Sequence, residues 1–527
     1  MITHVLVRKD AYFDSVFLMR ISREVKSLPG VNDAVVAMAT PHNKALLADS
    51  GYAAPELTEA GPNDLVIAVR LEDDRINADA LKNKVEGMLQ ADARPAASDA
   101  SDAAGPAKRP RSLEAALQSV PDANLALISV PGAYAAREAR RALARGLHVM
   151  LFSDNVSVED EIALKREAVT RGLLMMGPDC GTAIINGKPL AFANVVRRGG
   201  IGVVGASGTG IQEITCCIDR LGGGITQAIG TGGRDLSDRV GGLMTLLGIE
   251  ALAADAQTQV LVIVSKPPSP AVAARVVEAL KQTGKPAVVH FVGAELPPPD
   301  AAHPRLVYAD TLAGAAEEAC RLAGIAIAPN AHQNFDAEQL AIAGERLPPG
   351  AKLRGLFCGG TTGHEALVLL ERKGFSIHSN LHHDGPLQIR GTDFARGHVV
   401  LDLGADEFTV GRPHPMIEPA LRNERLAGEI KDPEVGILLF DLVLGYGSHP
   451  DPAGVLAEGL AEARRIREHN APPRHELIAI ASITGTWNDP QGFEEQRNSL
   501  AEAGFIVLPD NRRAVAFAAS LLERISK

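Results

Sequence analysis

The 527 residues predict an α/β fold with parallel sheets, preceded by a small α+β domain. Three observations predict it. From residue 112 onward, short apolar runs of strand length alternate with segments of helical periodicity. Several of these runs, such as VLVIV and VGILLFDLV, are apolar almost throughout, as strands covered on both faces must be. The 51 glycines and 33 prolines fit many short connections between elements.

The elements follow in order. Residues 2–90 read as strand (HVLVRK), helix (Asp14 to Lys26), strand (VNDAVVAMA), a short helix after Pro41, strand (DLVIAVR) and helix (Asn77 to Leu89). The stretch 91–111 is rich in Ala, Pro, Asp and Ser without apolar period, and reads as a linker. LALISV, a helix from Tyr134 to Arg145, HVMLFS, a helix capped by Ser157 with Asp160, and LLMMGP follow. A second α/β unit opens with IGVVGASGTG at Ile201 to Gly210 and runs through ITQAIG, QVLVIVS, AVVHFV and LVYA. Residues 328–351 read as a second linker. A third unit opens with LRGLFCGGTTGHEAL and continues through VVLDLG, VGILLFDLV, LIAIASI and FIVLPD. At a constant offset of 153, Gly202, Thr209 and Gly210 fall on Gly355, Thr362 and Gly363, so the last two units read as one module used twice.

Composition narrows the function classes. With 46% hydrophobic residues the chain has ample surface to bury, which excludes disorder as a whole. A net charge of −11 argues against a general nucleic-acid or anionic-membrane binder. No run reaches the ~18 apolar residues of a membrane span. The start, MITHVLVRKDAYFDS, lacks the order of a signal peptide, so a cytoplasmic protein is expected. Five scattered cysteines without a CxxC pair exclude a disulfide framework and speak against zinc; no metal site is expected. The pair His382 and His383 reads as surface loop.

Two segments carry a chemical signal. A strand, a glycine-rich turn and a helix gather free N–H groups at one point, where the helix adds roughly half a positive charge. GASGTG at Gly205 to Gly210 and CGGTTG at Cys358 to Gly363 both have this order, and neither fits a nucleotide fingerprint. One such turn is as readily a plain tight turn; two at equivalent places favour one anion held between two helices. GPDCGT places Asp179 and Cys180 at a strand's carboxyl end, where ligands gather in open parallel sheets. Cys180 reads as a packed thiol. Lys266, just after VLVIVS, reads as an anion ligand or a solvated loop lysine. Arg234 and Asp235 in GGRDLS, and Arg412 and His414 in VGRPHP, are loop-borne polar residues of the kind that often carry function.

GPDCGTAIINGKPLAFANVV, GIGVVGASGTGIQE, IGTGGRDLS, SKPP and DEFTVGRPHPMIEPALRN together closely resemble the FdrA family. More remotely, 112–327 resemble the α-subunit of succinyl-CoA synthetase, and 352–525 the carboxyl-terminal ligase-type domain of its β-subunit. The resemblance implies an α+β domain at 1–90, a linker, and a Rossmann-like CoA-binding-type domain at 112–197. Two flavodoxin-like ligase-CoA-type domains follow at 198–327 and 352–527, separated by the linker 328–351. In the synthetase two helices point their N-termini at a phosphate. The matching residues here are Ser207, Gly208, Thr209, Gly360, Thr361 and Thr362.

Departures from that pattern shape the functional expectation. The region VGAELPPPDAAHPRLVYA lacks the Gly-His-Ala-Gly loop of the phosphorylated histidine, and His303 lies outside that motif. Lys266 stands where the synthetases carry a glutamate, and neither the first CoA-holding turn nor an ATP-grasp domain has a counterpart. FdrA-like proteins are associated with oxamate carbamoyltransferase of allantoin breakdown. The resemblance thus implies a transferase subunit converting oxalurate and phosphate to oxamate and carbamoyl phosphate. Lys266 and His364 are then the catalytic candidates, with His364 either moving a proton or lying on the helix surface. Arg234, Arg412 and Asp179 are the substrate-binding candidates. No cofactor is required, phosphate or carbamoyl phosphate is the substrate, and the partners are other carbamoyltransferase subunits in a hetero-oligomer. The alternatives are an acyl-CoA synthetase or CoA-binding protein, which would add CoA as ligand, and a non-catalytic assembly subunit.

Overall fold

The computed structural model describes 112–527 except 296, 299, 328–334, 391–392, 410–412, 471–475 and 527. Before 112 it describes 2–9, 11, 13, 15–26, 28–40, 43–44, 47–48, 51–52, 54–61, 64–71, 84–89 and 110. The chain forms two units, one of 1–111 with 410–413 and one of 112–409 with 414–527.

The smaller unit runs β1 (Ile2–Arg8), α1 (Ser15–Lys26), β2 (Val31–Met38), α2 (Pro55–Glu59) and β3 (Leu65–Leu71). Its sheet is antiparallel in the order β1-β3-β2, with Ile2 opposite Leu71 and Met38 opposite Leu65. Alternation in β2 turns Ala34, Val36 and Met38 inward, where they meet Leu18, Ile21 and Val25 of α1. The strands match their apolar pattern. Of the helix expected from Asn77, residues 84–89 are helical and 77–83 lie outside the described residues; so does the linker 91–111, apart from residue 110.

The larger unit opens with α3 (Leu113–Ser119), β4 (Leu125–Ile128), α4 (Gly132–Ala144), β5 (His148–Leu151), α5 (Val158–Arg171) and β6 (Met175–Met176). Its three strands form a parallel sheet, β4-β5-β6. Ser157 caps α5 by accepting the Asp160 N–H at 3.1 Å, as its sequence position predicts. The hairpin β7 (Thr182–Ile185) and β8 (Lys188–Ala191) joins the next sheet, which therefore takes in residues before 198.

That sheet continues with β9 (Arg198–Ala206), α6 (Gly208–Arg220), β10 (Ile225–Gly230), α7 (Leu243–Ala254), β11 (Val260–Ser265), α8 (Pro270–Gln282), β12 (Ala287–Phe291), β13 (Leu306–Tyr308) and α9 (Leu312–Leu322). Its order is β13-β12-β11-β9-β10-β7-β8. The stretch 328–351, expected as linker, carries α10 (Ala337–Glu345), capped by Asp336. The last module comprises β14 (Lys352–Phe357), α11 (Gly360–Arg372), β15 (Ile377–Ser379), β16 (His398–Asp402), α12 (Asp406–Thr409), α13 (Ala420–Glu429), β17 (Val435–Val443), α14 (Pro452–Asn470), β18 (Ile478–Thr484), α15 (Phe493–Glu502), β19 (Phe505–Leu508) and α16 (Asn511–Ile525). Its strands are parallel in the order β15-β16-β14-β17-β18-β19.

Without the edge strands, both sheets follow one path: the first strand is central, the second lies to one side, and the third to fifth extend the other way. The shared path agrees with one module used twice. All nine residues of β17 and all six of β11 are buried, which is why their runs are apolar. In such a sheet the crevice forms at the carboxyl ends of the first and third strands, where the order reverses. The two glycine-rich turns follow the first strands, so the topology puts both at a switch point. No helix among the described residues is long and apolar enough to cross a membrane.

Candidate active site

The two turns meet. Ser207 caps α6, its Oγ accepting the Gly210 N–H at 3.0 Å, and the same Oγ shares a short hydrogen bond with Oγ1 of Thr361. The Thr361 N–H donates to Oγ1 of Thr209 at 3.2 Å. The N–H groups of Gly208, Thr209, Gly360 and Thr362 have no partner among the described residues. Four backbone donors from two helix ends are thus left beside one hydroxyl contact. Ser207, Gly208, Thr209, Gly360, Thr361 and Thr362 are brought together as the sequence offset predicts.

Two carboxylates that sequence reasoning missed frame the second turn. Asp441, buried in β17, accepts the N–H groups of Cys358 at 2.7 Å and Gly359 at 2.8 Å, and the Thr362 hydroxyl at 2.8 Å. Burial raises its pKa, while Arg422, 3.8 Å away, and these donors oppose. Asp402 ends β16 and is 5% exposed; its Oδ1 accepts the Gly404 N–H at 2.9 Å. A Cβ on Gly360 would collide with Oδ2 of Asp402 and stand 3.3 Å from Nζ of Lys266, so only glycine fits there. Burial pushes the Asp402 carboxyl up to about 6, opposed by Lys266 and the Gly404 N–H and helped by Asp441 and Glu407. The signal available was a single aspartate ending or interrupting an apolar run: VVLDLG and LLFDLV.

Lys266, the first residue past β11, is exposed and makes no hydrogen bond or ion pair among the described residues. Its charge reaches Asp402, Asp179 and His364. His364, on α11, is half-buried, and burial with Lys266, His383 and His382 pushes it down to about 4. At pH 7 it is a neutral imidazole. Asp179 follows a cis Gly177–Pro178 bond with φ of 55°. Its side chain reaches solvent, yet the protein crowded round it strips away bulk water and pushes the carboxyl up to about 6. Asp406 and Asp154 add to that rise, and Lys266 and Arg234 oppose it.

The remaining candidates separate from this group. Arg234 is anchored by Oε2 of Glu161 at 2.9 Å and the Val156 carbonyl at 2.9 Å. Its neighbour Asp235 is structural, accepting from Lys165, itself fully buried, and from the start of α7. Arg412 lies outside the described residues. Cys180 is buried and its thiol is pushed up to about 12 by burial, so it is inert as expected. His303 is held by Asp300, at 3.1 Å, and not by either turn.

The comparisons with known proteins place this architecture. YahF of Escherichia coli (strain K12) is 44% identical over 509 residues, covering 95% of this chain and 95% of its own. The chain belongs to the YahF family. This YahF-family chain matches the CoA-ligase family model over 356–521 and the CoA binding domain model over 197–293. The latter falls on β9 to β12, not on 112–197, where the CoA-binding-type domain was expected. The chain is FdrA-like and related to the succinyl-CoA synthetase α-subunit: subunit alpha 2 of the ADP-forming succinate–CoA ligase of Archaeoglobus fulgidus is 28% identical over 183 residues. That match spans 34% of this chain and 61% of the ligase subunit. An ADP-forming sulfoacetate-CoA ligase subunit, SauD of Bilophila wadsworthia, is 27% identical over 27% of this chain and 50% of its own. ATP citrate lyase from Methanothrix soehngenii, in complex with citrate and coenzyme A, is 14% identical over 78% of this chain and 84% of its own, with a TM-score of 0.33, too low to bear on the site.

These matches overturn the expectation of a carbamoyltransferase subunit. They align the modules that carry the turns with CoA-ligase and CoA-binding families, and the chain reads as acyl-CoA ligase-like rather than as a transferase subunit. Residues 1–106 match a model described as AllF, heavy metal-associated domain. That segment holds no cysteine, and no cluster of three His, Cys, Asp or Glu side chains able to hold a metal occurs among the described residues.

Proposed function

We propose that this YahF-family chain is an acyl-CoA ligase-like protein that binds a phosphoryl group where α6 and α11 meet. The observation that carries the reading is the contact of Ser207 with Thr361, which joins two helix N-termini from two modules beside a lysine without an ion-pair partner. Each helix end contributes about half a positive charge, and Lys266 a full one. Donors already fixed in place need no reorganisation when negative charge develops. In this reading the thiol sulfur of CoA attacks the carbonyl carbon of an acyl phosphate. The bond between that carbon and the bridging oxygen breaks, and phosphate leaves with the electron pair into the two turns. The thiol proton ends on the leaving group, which departs as hydrogen phosphate. The matched relatives are named as ligase subunits, and a partner subunit supplying the nucleotide step belongs to the same proposal.

Calorimetric titration of inorganic phosphate and of CoA into the full chain tests this. Lys266→Met keeps the length of the side chain and deletes its charge. Loss of a charge-assisted contact is expected to weaken phosphate at least about tenfold. Failure of the unaltered chain to bind phosphate, or unchanged affinity in Lys266→Met, refutes the assignment.

A further inference from the structure

We propose that Asp402 makes the anion site selective for an oxyanion that still carries a proton, such as hydrogen phosphate, the form in which the phosphate product is released. The proposal rests on the phosphoryl-binding reading and adds its specificity. Oδ2 of Asp402 lies against Gly360, the first residue of α11, beside Nζ of Lys266. Oδ1 is committed to the Gly404 N–H, and the Asp402 main chain is tied on both sides to Asn380, so the carboxyl cannot swing away. Asp402 is 5% exposed, and its Oδ2 has no protein donor among the described residues but keeps contact with the solvent of the cleft. A carboxylate oxygen so placed can be satisfied only from the cleft side, by water or by a ligand.

An anion seated at the N–H groups of Gly360 and Thr362 brings its oxygens next to Oδ2. A fully deprotonated oxyanion meets that carboxylate with like charge. A P–OH group instead donates a hydrogen bond to it in place of water. The arrangement thus separates hydrogen phosphate from sulfate, which has the same shape and charge but no proton to give. Discrimination built on an unpaired polar group of the site is the strongest kind available to a binding pocket.

The charged groups bearing on Asp402 are Lys266 after β11, Asp441 in β17 and Glu407 in α12; Lys266 acts also on Asp179 and His364. Because the carboxyl is held near 6, it becomes a donor itself in mild acid. Sulfate affinity is therefore expected to rise as pH falls from 7.5 to 5, while affinity for phosphate changes less.

The test is calorimetric titration of the full chain with sodium phosphate and with sodium sulfate at pH 7.5, repeated with Asp402→Asn. Asparagine keeps an oxygen for the Gly404 N–H and offers an amide donor in place of Oδ2. The unaltered chain should bind phosphate about 10- to 100-fold more tightly than sulfate, the range of one charge-assisted hydrogen bond. In Asp402→Asn the gap should fall below about threefold, chiefly by a gain for sulfate. The pH series on the unaltered chain gives the same answer should the variant fail to fold. Equal affinity for both anions, or an unchanged gap in Asp402→Asn with sulfate indifferent to pH, overturns this proposal and leaves the phosphoryl site standing. Binding of neither anion overturns both.

Discussion

Glu365 offers a direct test of how the two modules are joined. It lies on α11 and is 2% exposed, its Oε1 accepting the Leu312 N–H at the start of α9 at 2.7 Å, and its Oε2 accepting from Nδ2 of Asn511, at the start of α16, at 2.7 Å. It has no ion pair among the described residues. Burial, with Glu213 adding, pushes the carboxyl from 4.5 up to about 7, against Leu312, Asn511 and Arg512. That difference corresponds to ~3 kcal/mol between the ionised folded and unfolded states. The sign is fixed by proton counts. Below 4.5 both states hold the proton and nothing is lost; from 4.5 to 7 the folded state binds more protons, so stability falls as pH rises. Above 7 the full penalty applies. Glu365→Gln removes this dependence, keeps the oxygen for Leu312 and sets an amide donor against Asn511, at a pH-independent cost of ~1 kcal/mol. Urea unfolding of the full chain, followed at pH 5 and pH 8, should show the variant gaining up to about 3 kcal/mol on the unaltered chain between the two. A difference that stays flat means Glu365 is already ionised at pH 5, and the account of its burial fails.

Two shorter predictions concern the turns and the thiols. Gly208→Asp and Thr361→Asp each set a carboxylate at a helix end that faces the other; each should abolish phosphate binding by calorimetry, and the double change should add almost nothing. Independent losses of two separate phosphates would refute a shared site. All five cysteines are buried, and burial pushes Cys180, Cys320 and Cys358 up to about 12. At pH 8 the native chain should resist iodoacetamide for hours, and rapid labelling measured by intact mass would show that these thiols are reachable.

Much of the fold was legible because buried parallel strands leave little choice of residue. Val260 to Ser265 and Val435 to Val443 are sealed on both faces, so their runs stand out from the helices between them. Glycine at 360 was legible as a turn, and the structure adds why: a Cβ there would strike Asp402. What escaped notice has physical reasons. β15 is three residues at a sheet edge, too short to show a period, and α10 is rich in alanine beside prolines that read as linker. Asp402 and Asp441 escaped because each is one charge in an apolar segment, and their partners are backbone N–H groups that no sequence pattern displays. The functional expectation failed for another reason. It weighed what the chain lacks, a Gly-His-Ala-Gly loop, above the modules it keeps, and it took Lys266 as a sign of new chemistry. Lysine beside two helix ends suits a phosphoryl ligand in a CoA-ligase-like chain equally well.

The Ser207 and Thr361 hydroxyls can meet only if the two modules are unable to slide past one another, and apolar packing alone gives poor control of sliding. The junction is instead polar and directional. The Thr484 hydroxyl donates to Oε2 of Glu213 at 2.5 Å, the Asn511 N–H to Oε1 of Glu213 at 3.3 Å, and the Leu312 N–H to Oε1 of Glu365 at 2.7 Å. Arg220 donates to the carbonyls of Gly485 at 2.6 Å and Ile483 at 3.3 Å, and Asn194 to Oδ2 of Asp489 at 2.8 Å. A slip of one helical turn would leave several of these buried groups unpaired at once, at about 1–3 kcal/mol each. The register of α6 against α11 is therefore set by groups that touch no ligand. Glu213 and Glu365 belong to that set one turn behind the two N-termini, on the helices whose ends form the site. The buried carboxyl of Glu365, which burdens the fold above pH 7, also ties α11 to the start of α9, and its cost is what a fixed geometry at the cleft requires.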